Sequence, residues 1–92
     1  MYKIKNYSYK QAEKLNVIIK PSHKKDKKID VYDQNGKYIT SIGSISNYDY
    51  PTYIEISGKK HAEERRKLYK QRHKGENKVV NSAGYFAWYI LW

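Results

Sequence analysis

All three arginines of the chain, and two of its three histidines, fall within HAEERRKLYKQRH, from His61 to His73, whereas the lysines are spread along the whole length. At about 100° per residue, a helix here places His61, Ala62, Arg65, Arg66, Leu68, Tyr69, Arg72 and His73 on one side. Glu63, Glu64, Lys67, Lys70 and Gln71 fall on the other. Guanidinium groups suit bidentate phosphate contacts and stacking on aromatic rings, so this face is either a binding site or a polar brace. Arg65 and Arg72, one turn to either side of Leu68, are assigned first to the fold, lying against Trp88 or Trp92 or pairing with an acid such as Glu55. Arg66, at the edge of the face, is the phosphate candidate. Three guanidiniums exposed on one surface with Lys59 and Lys60 would favour nucleic acid.

Other chemistry is sparse. His61 and His73 are too far apart on one helix to share a metal ion, and His23 sits among lysines as a solvated side chain. No Gly-rich phosphate loop or nucleophile elbow occurs. Asp30 and Asp33, with Glu55 as a third ligand and Lys28 nearby, could hold a metal ion for nuclease work. The same spacing is what turn and strand chemistry yields. No catalytic residue, metal site or cofactor is therefore expected.

These residues must be carried by local elements. Ser8-Tyr9-Lys10-Gln11 has the form of a capping box opening a short helix to about Leu15, with Asn16 as its left-handed terminator. Val17-Ile18-Ile19 reads as a strand closed by Pro21. Residues 20–28 form a lysine-rich, mobile loop carrying Lys20, Lys24, Lys25, Lys27 and Lys28. Residues 29–43 form a hairpin around Asp33-Gln34-Asn35-Gly36. A two-residue turn at Asn35-Gly36 pairs Ile29 with Ile42 and Val31 with Thr40, while a three-residue loop with Gly36 left-handed shifts that register; both remain open. Residues 44–53 read as a connecting loop. The basic helix, 61–73, ends at Gly75 as C′ residue, and residues 77–81 link it onward. Ser82 caps a final helix, 82–92, carrying Tyr85, Trp88, Tyr89 and Trp92 at helical spacing. With Phe86, Ile90 and Leu91 it is apolar nearly all round, so it must be buried, in its own domain or in a partner. Tyr32 and Tyr38, with Tyr48, Tyr50 and Tyr53, form a second aromatic group.

Ninety-two residues predict a single domain spanning 1–92, and eleven Tyr, two Trp and one Phe supply its core mass. The absence of cysteine excludes disulfides and thiolate metal sites. The opening residues lack a secretory h-region and the longest apolar run is too short to span a bilayer, so a soluble protein that is not secreted, with no membrane partner, is expected. A formal net charge of +10 favours an acidic partner, nucleic acid first.

The strand–NG–strand ending in SIG, DYPTYIE, ERRKLYKQRH and SAGYFAWYILW resemble a family of small, basic, largely uncharacterised proteins of large double-stranded DNA viruses of algae and amoebae, with looser relatives in tailed phages. The N-terminal KNYSYKQAEKLNVIIKPS and KKID extend the resemblance over nearly the whole chain. Its most specific pieces are Arg65, Arg66, Tyr69, Arg72 and His73 in R-R-x-x-Y-x-x-R-H, and the segment ending Leu91-Trp92. Asn16 departs from the Gly expected after the first helix. The resemblance implies a viral origin and a place in the virion or the infected host cell. It carries over no catalytic residues.

The expected architecture is α+β: a short N-terminal helix, a small antiparallel sheet of about three strands, and two C-terminal helices packed on it. The expected function is non-enzymatic, sequence-tolerant binding of nucleic acid, DNA before RNA. Lys20, Lys24, Lys25, Lys27, Lys28, Lys59, Lys60, Arg66, Lys70 and Lys74 would meet phosphate. Arg65, Tyr69, Arg72, His73, Tyr85, Trp88 and Trp92 would form a structural cluster. The alternative is a minor virion protein that dimerises or docks on another virion protein through its aromatic C-terminal segment.

Overall fold

The computed structural model describes residues 2–92. In chain order the elements are α1 (Asn6–Lys14), β1 (Ile18–Pro21), β2 (Lys27–Tyr32), β3 (Tyr38–Ser44), α2 (Tyr50–Ser57), α3 (Lys59–Arg72), a 3-10 turn (Glu76–Lys78) and α4 (Ala83–Ile90). The strands form one antiparallel sheet in the order β1-β2-β3. This is the α+β architecture the sequence predicts, with one helix more than expected.

The aliphatic core is small. Ile19, Ile29, Val31 and Ile42 from the sheet meet Ile4, Ala12 and the C-terminal residues Phe86, Ile90 and Leu91. The C-terminal segment thus buries Phe86, Ile90 and Leu91 within its own domain, while Tyr85, Trp88, Tyr89 and Trp92 stay half-buried. α3 stands outside this cluster: Ala62 is its one buried residue, and it is held chiefly by α2 and by polar and aromatic contacts. Leu68, expected on the inward face, is 46% exposed. The inward side of α3 is centred instead on Ala62, Arg65, Arg66 and Tyr69.

Both hairpin readings are realised together. The turn is a three-residue loop with Gly36 left-handed at φ 83°, closed by Asp33 N–H donating to Lys37 O (2.9 Å) and Gly36 N–H to Asp33 O (3.0 Å). Tyr32 therefore pairs with Tyr38. A register shift then leaves Ile39 as an extra residue on β3, and Val31 with Thr40 and Ile29 with Ile42 recover the two-residue register. The bulge reconciles the geometry of the turn with the requirement that Ile29, Val31 and Ile42 be buried together.

Several local expectations are met. Asn16 (φ 60°) is left-handed just past α1, and the Ser82 hydroxyl accepts the Tyr85 N–H (3.1 Å) as an N-cap. Gly75 is left-handed too (φ 94°), but His73 is the C-cap of α3 and Gly75 opens the 3-10 turn instead of standing at C′. Others are corrected. α1 starts at Asn6, so Ser8 lies inside its first turn instead of capping it. Ser8 Oγ donates to Ile90 O (2.8 Å) and Gln11 Nε2 to Tyr89 O (2.9 Å). These carbonyls end α4 and have no N–H of a following turn to accept, so a remote helix end claims the would-be capping box.

The 44–53 loop contains the start of α2. Its N-cap is Asp49, which accepts the Thr52 N–H (3.0 Å), and Pro51 lies in the first turn. The lysine loop is also shorter than expected: Lys20 and Pro21 belong to β1, Lys27 and Lys28 to β2, and a turn at residues 22–26 joins them. That turn is pinned rather than loose. The buried Asp30 carboxylate accepts from Ser22 Oγ (2.6 Å), His23 N–H (3.0 Å) and Ser41 Oγ (2.6 Å), and it also meets the His23 ring. His23, expected to be simply solvated, is tethered. Burial opposes ionisation of Asp30, but these donors outweigh it and hold the carboxyl well below the usual range.

Candidate nucleic-acid interface

The nineteen Lys and Arg side chains face nine acids, and among the described residues three form ion pairs: Lys5 with Glu55, Lys28 with Asp49, and Arg66 with Glu63. The other sixteen have no carboxylate partner. Of the predicted phosphate contacts, Lys20, Lys24, Lys25, Lys27, Lys59, Lys60 and Lys74 are exposed. Lys20 and Lys24 lean over the rings of Tyr32 and Tyr38, at 5.4 and 5.7 Å. The β1–β2 turn therefore presents cations braced on aromatic faces, not on acids.

Three of the predicted phosphate contacts are placed differently. Lys28 is 4% exposed, and its Nζ donates to Asp49 Oδ2 (2.9 Å); it shares a strand face with the buried Asp30, opposite Ile29 and Val31, in a strand covered on both faces, while Lys27 at the strand's start is exposed. Arg66 is a brace. Its Nη2 donates to both Glu63 carboxylate oxygens (2.7 and 2.8 Å), Nη1 reaches the Trp92 main-chain oxygen (3.4 Å), and the guanidinium lies 4.0 Å from the Tyr50 ring centroid. Lys70 is half-buried over the Trp88 ring (5.0 Å), and burial lowers its pKa.

The roles expected of Arg65 and Arg66 are thereby exchanged in part. Arg65 lies over the Tyr53 ring (5.5 Å), not over that of Trp88 or Trp92, and among the described residues it makes no ion pair with Glu55 and its buried Nε has no hydrogen-bond partner. Arg72 is exposed and, like Arg65, pairs with no carboxylate among the described residues. Arg72 alone of the three guanidiniums is exposed, so they do not form one surface with Lys59 and Lys60.

Tyr69 is the centre of a three-ring stack. His73 covers it at 4.1 Å and 23°, Trp92 at 4.4 Å and 7°. Burial, reinforced by the Glu76 charge, pushes its hydroxyl up to about 12. His73 Nδ1 is tied to Glu76. Tyr69, His73 and Trp92 thus form the expected brace between α3 and the C-terminal segment. Tyr85 is absent from it, packed edge-on against Phe86 and Tyr89, and Trp88 is engaged by Lys70.

Between the end of β3, α3 and the C-terminal segment lies a pocket of about 370 Å³, within the range of small-ligand sites (~300–1,000 Å³). It is lined by Gly43 and the buried Leu91 and Lys28, by the rings of Tyr53, Tyr69 and Trp92, by the half-buried Arg65 and His73, and by the exposed Arg72, Asn47 and Tyr48. No acidic side chain among the described residues lines it. The tyrosines grouped in the sequence are divided by the fold: Tyr32 and Tyr38 stay at the hairpin, Tyr50 is buried between Tyr7 and Arg66, and Tyr48 and Tyr53 meet edge-to-face at the pocket. Gly43, Asn47 and Leu91 carried no sequence signal for a site, since their approach to α3 exists only in the fold.

Asp30, Asp33 and Glu55 do not assemble. Asp33 accepts the Asn35 and Lys37 N–H groups (both 2.9 Å) in the hairpin turn, and Glu55 pairs with Lys5 (2.8 Å). Among the described residues no three His, Cys, Asp or Glu side chains are grouped as metal ligands. No described helix is long and apolar enough to cross a membrane. No family model, curated protein or solved structure matches the chain.

Proposed function

We propose that this protein binds nucleic acid through the phosphate backbone, without sequence preference and without catalysing a reaction, DNA being the principal partner. The observation that carries this is the sixteen Lys and Arg side chains without a carboxylate partner among the described residues, seven of them exposed at positions predicted to meet phosphate. A surface made only soluble by its lysines would mix them with acids; here the acids are largely engaged in turns, caps and internal pairs.

The contacts are assigned to Lys24, Lys25 and Lys27 at the β1–β2 turn, Lys20 beside it, Lys59 and Lys60 at the start of α3, and Lys74 beyond its end. Ammonium groups on flexible stems follow a phosphate chain without reading bases. The resemblance to basic proteins of large DNA viruses proposes an infected cell or virion as its setting.

Fluorescence anisotropy with a labelled duplex over a salt series tests it. The expected result is binding at low salt with log K falling linearly in log[salt], since each neutralised phosphate releases counterions. Absence of binding at low salt would overturn it.

A further inference from the structure

Resting on that reading, we infer that the pocket between β3, α3 and the C-terminal segment holds one unpaired nucleotide, its phosphate between Arg65 and Arg72 and its base against Tyr48. The protein would then favour strand ends and single-stranded stretches over continuous duplex.

Charge is the first support. Arg65 and Arg72 both line the pocket, neither pairs with a carboxylate, and no acidic side chain among the described residues lines it. Arg66, one residue away, is tied to Glu63, so the local acid is engaged elsewhere. Arg65 makes no hydrogen bond or ion pair to an acid among the described residues, so its charge is not matched by a carboxylate beside the pocket. Lys28 also lines the pocket, its own charge matched by Asp49.

Shape is the second. The pocket's volume, about 370 Å³, has room for a small ligand, and Tyr48, Tyr53, Tyr69 and Trp92 line it. Tyr69 has both faces covered, by His73 and Trp92, so it cannot accept a base. Tyr48 can: it is 57% exposed, with Tyr53 meeting it edge-to-face at 5.5 Å. Asn47 and Ser44 beside it offer a side-chain amide and a hydroxyl to a base edge or sugar. Aromatic stacking tolerates any base, which agrees with binding that ignores sequence. A paired base cannot reach Tyr48 without leaving its stack, so unpaired nucleotides are selected.

The test compares a blunt duplex with the same duplex carrying an unpaired extension, by anisotropy, for the full chain and for Tyr48→Ala and Arg72→Gln. Both side chains are exposed, and unchanged thermal melts will confirm that the variants fold. The extended duplex is expected to bind about tenfold tighter, within the range of one base–aromatic stack. Each variant should lose that preference, Tyr48→Ala with blunt-duplex affinity kept within about twofold and Arg72→Gln with no more than the uniform drop of one lost cation. Free deoxyadenosine monophosphate should displace the extended duplex more effectively than inorganic phosphate does. Equal affinity for the two duplexes overturns the inference and leaves the backbone-binding reading standing. A preference that survives both substitutions overturns the pocket as its location, and displacement by phosphate as effective as by the nucleotide overturns the role of the base. Failure to bind either duplex overturns the broader reading and this one with it.

Discussion

Lys28 Nζ lies 2.9 Å from Asp49 Oδ2, with the two side chains 4% and 1% exposed. The pair joins the sheet to the start of α2. Asp49 also accepts the Tyr2 hydroxyl (2.6 Å) and caps α2 through Thr52 N–H, so one carboxylate ties three parts of the chain. Burial raises the Tyr2 hydroxyl, and the nearby Asp49 raises it further.

Removing one partner of a buried pair leaves the other charged and unmatched, typically at a cost of about 3–5 kcal/mol. Asp49→Ala is therefore expected to destabilise the protein by about that much in urea denaturation. Adding Lys28→Met to Asp49→Ala should recover part of the loss. A double variant that sums the two single losses would show the pair to be uncoupled.

Stability should fall in acid. Burial opposes ionisation of Asp49 and Asp30, but hydrogen bonds, and for Asp49 the Lys28 charge, hold both folded-state values below the ordinary carboxylate range. A carboxyl depressed on folding binds fewer protons folded than unfolded. Its stabilisation is thus complete above the unfolded value of about 4 and is lost as pH drops below it. Urea midpoints should be level near neutrality and decline below about pH 5. Asp30→Asn should lower the neutral midpoint and flatten the acid decline.

Gly43 combines a left-handed φ of 79° with a close neighbour, since a Cβ there would stand 2.7 Å from Leu91 Cδ1. Gly36 has a similar φ of 83° but open space around it. Gly36→Ala should cost only backbone strain, about 1–2 kcal/mol. Gly43→Ala should cost about 1–3 kcal/mol more through overpacking. Equal losses from thermal melts would contradict the close approach of β3 to the C-terminal segment.

The binding reading separates neighbouring cations. Changing Lys24, Lys25 and Lys27 together to Gln should reduce the slope of log K against log[salt] by about one for each phosphate that is no longer neutralised. Arg66→Gln, although it also removes a cation, should lower stability with little change in that slope, because its charge is matched by Glu63.

Much of the secondary structure was legible because its signals act over a turn or less. Asn16 and Ser82 act within a few residues of their helix ends, and Asn35-Gly36 closes its hairpin. α2 was missed although Asp49 and Pro51 are a start signal, because Ser, Asn and Tyr around them mimic a loop. Ser8 shows the opposite failure: its spacing to Gln11 is that of a capping box, yet its partner is Ile90, 82 positions away. Of the site, the basic turn was legible and the pocket was not.

The sequence by itself determined the α+β class, the Asn-Gly hairpin, the packing of Phe86, Ile90 and Leu91 into the core and the excess of positive charge. Alternation, capping and net charge are properties of composition and short spacing. Only the tertiary structure decided which cations are free. Lys27 and Lys28 are adjacent, as are Arg65 and Arg66, but one of the first pair is exposed and the other buried on Asp49, and only the second arginine meets Glu63. Charge is additive along a chain, whereas desolvation and pairing depend on where the fold places each group.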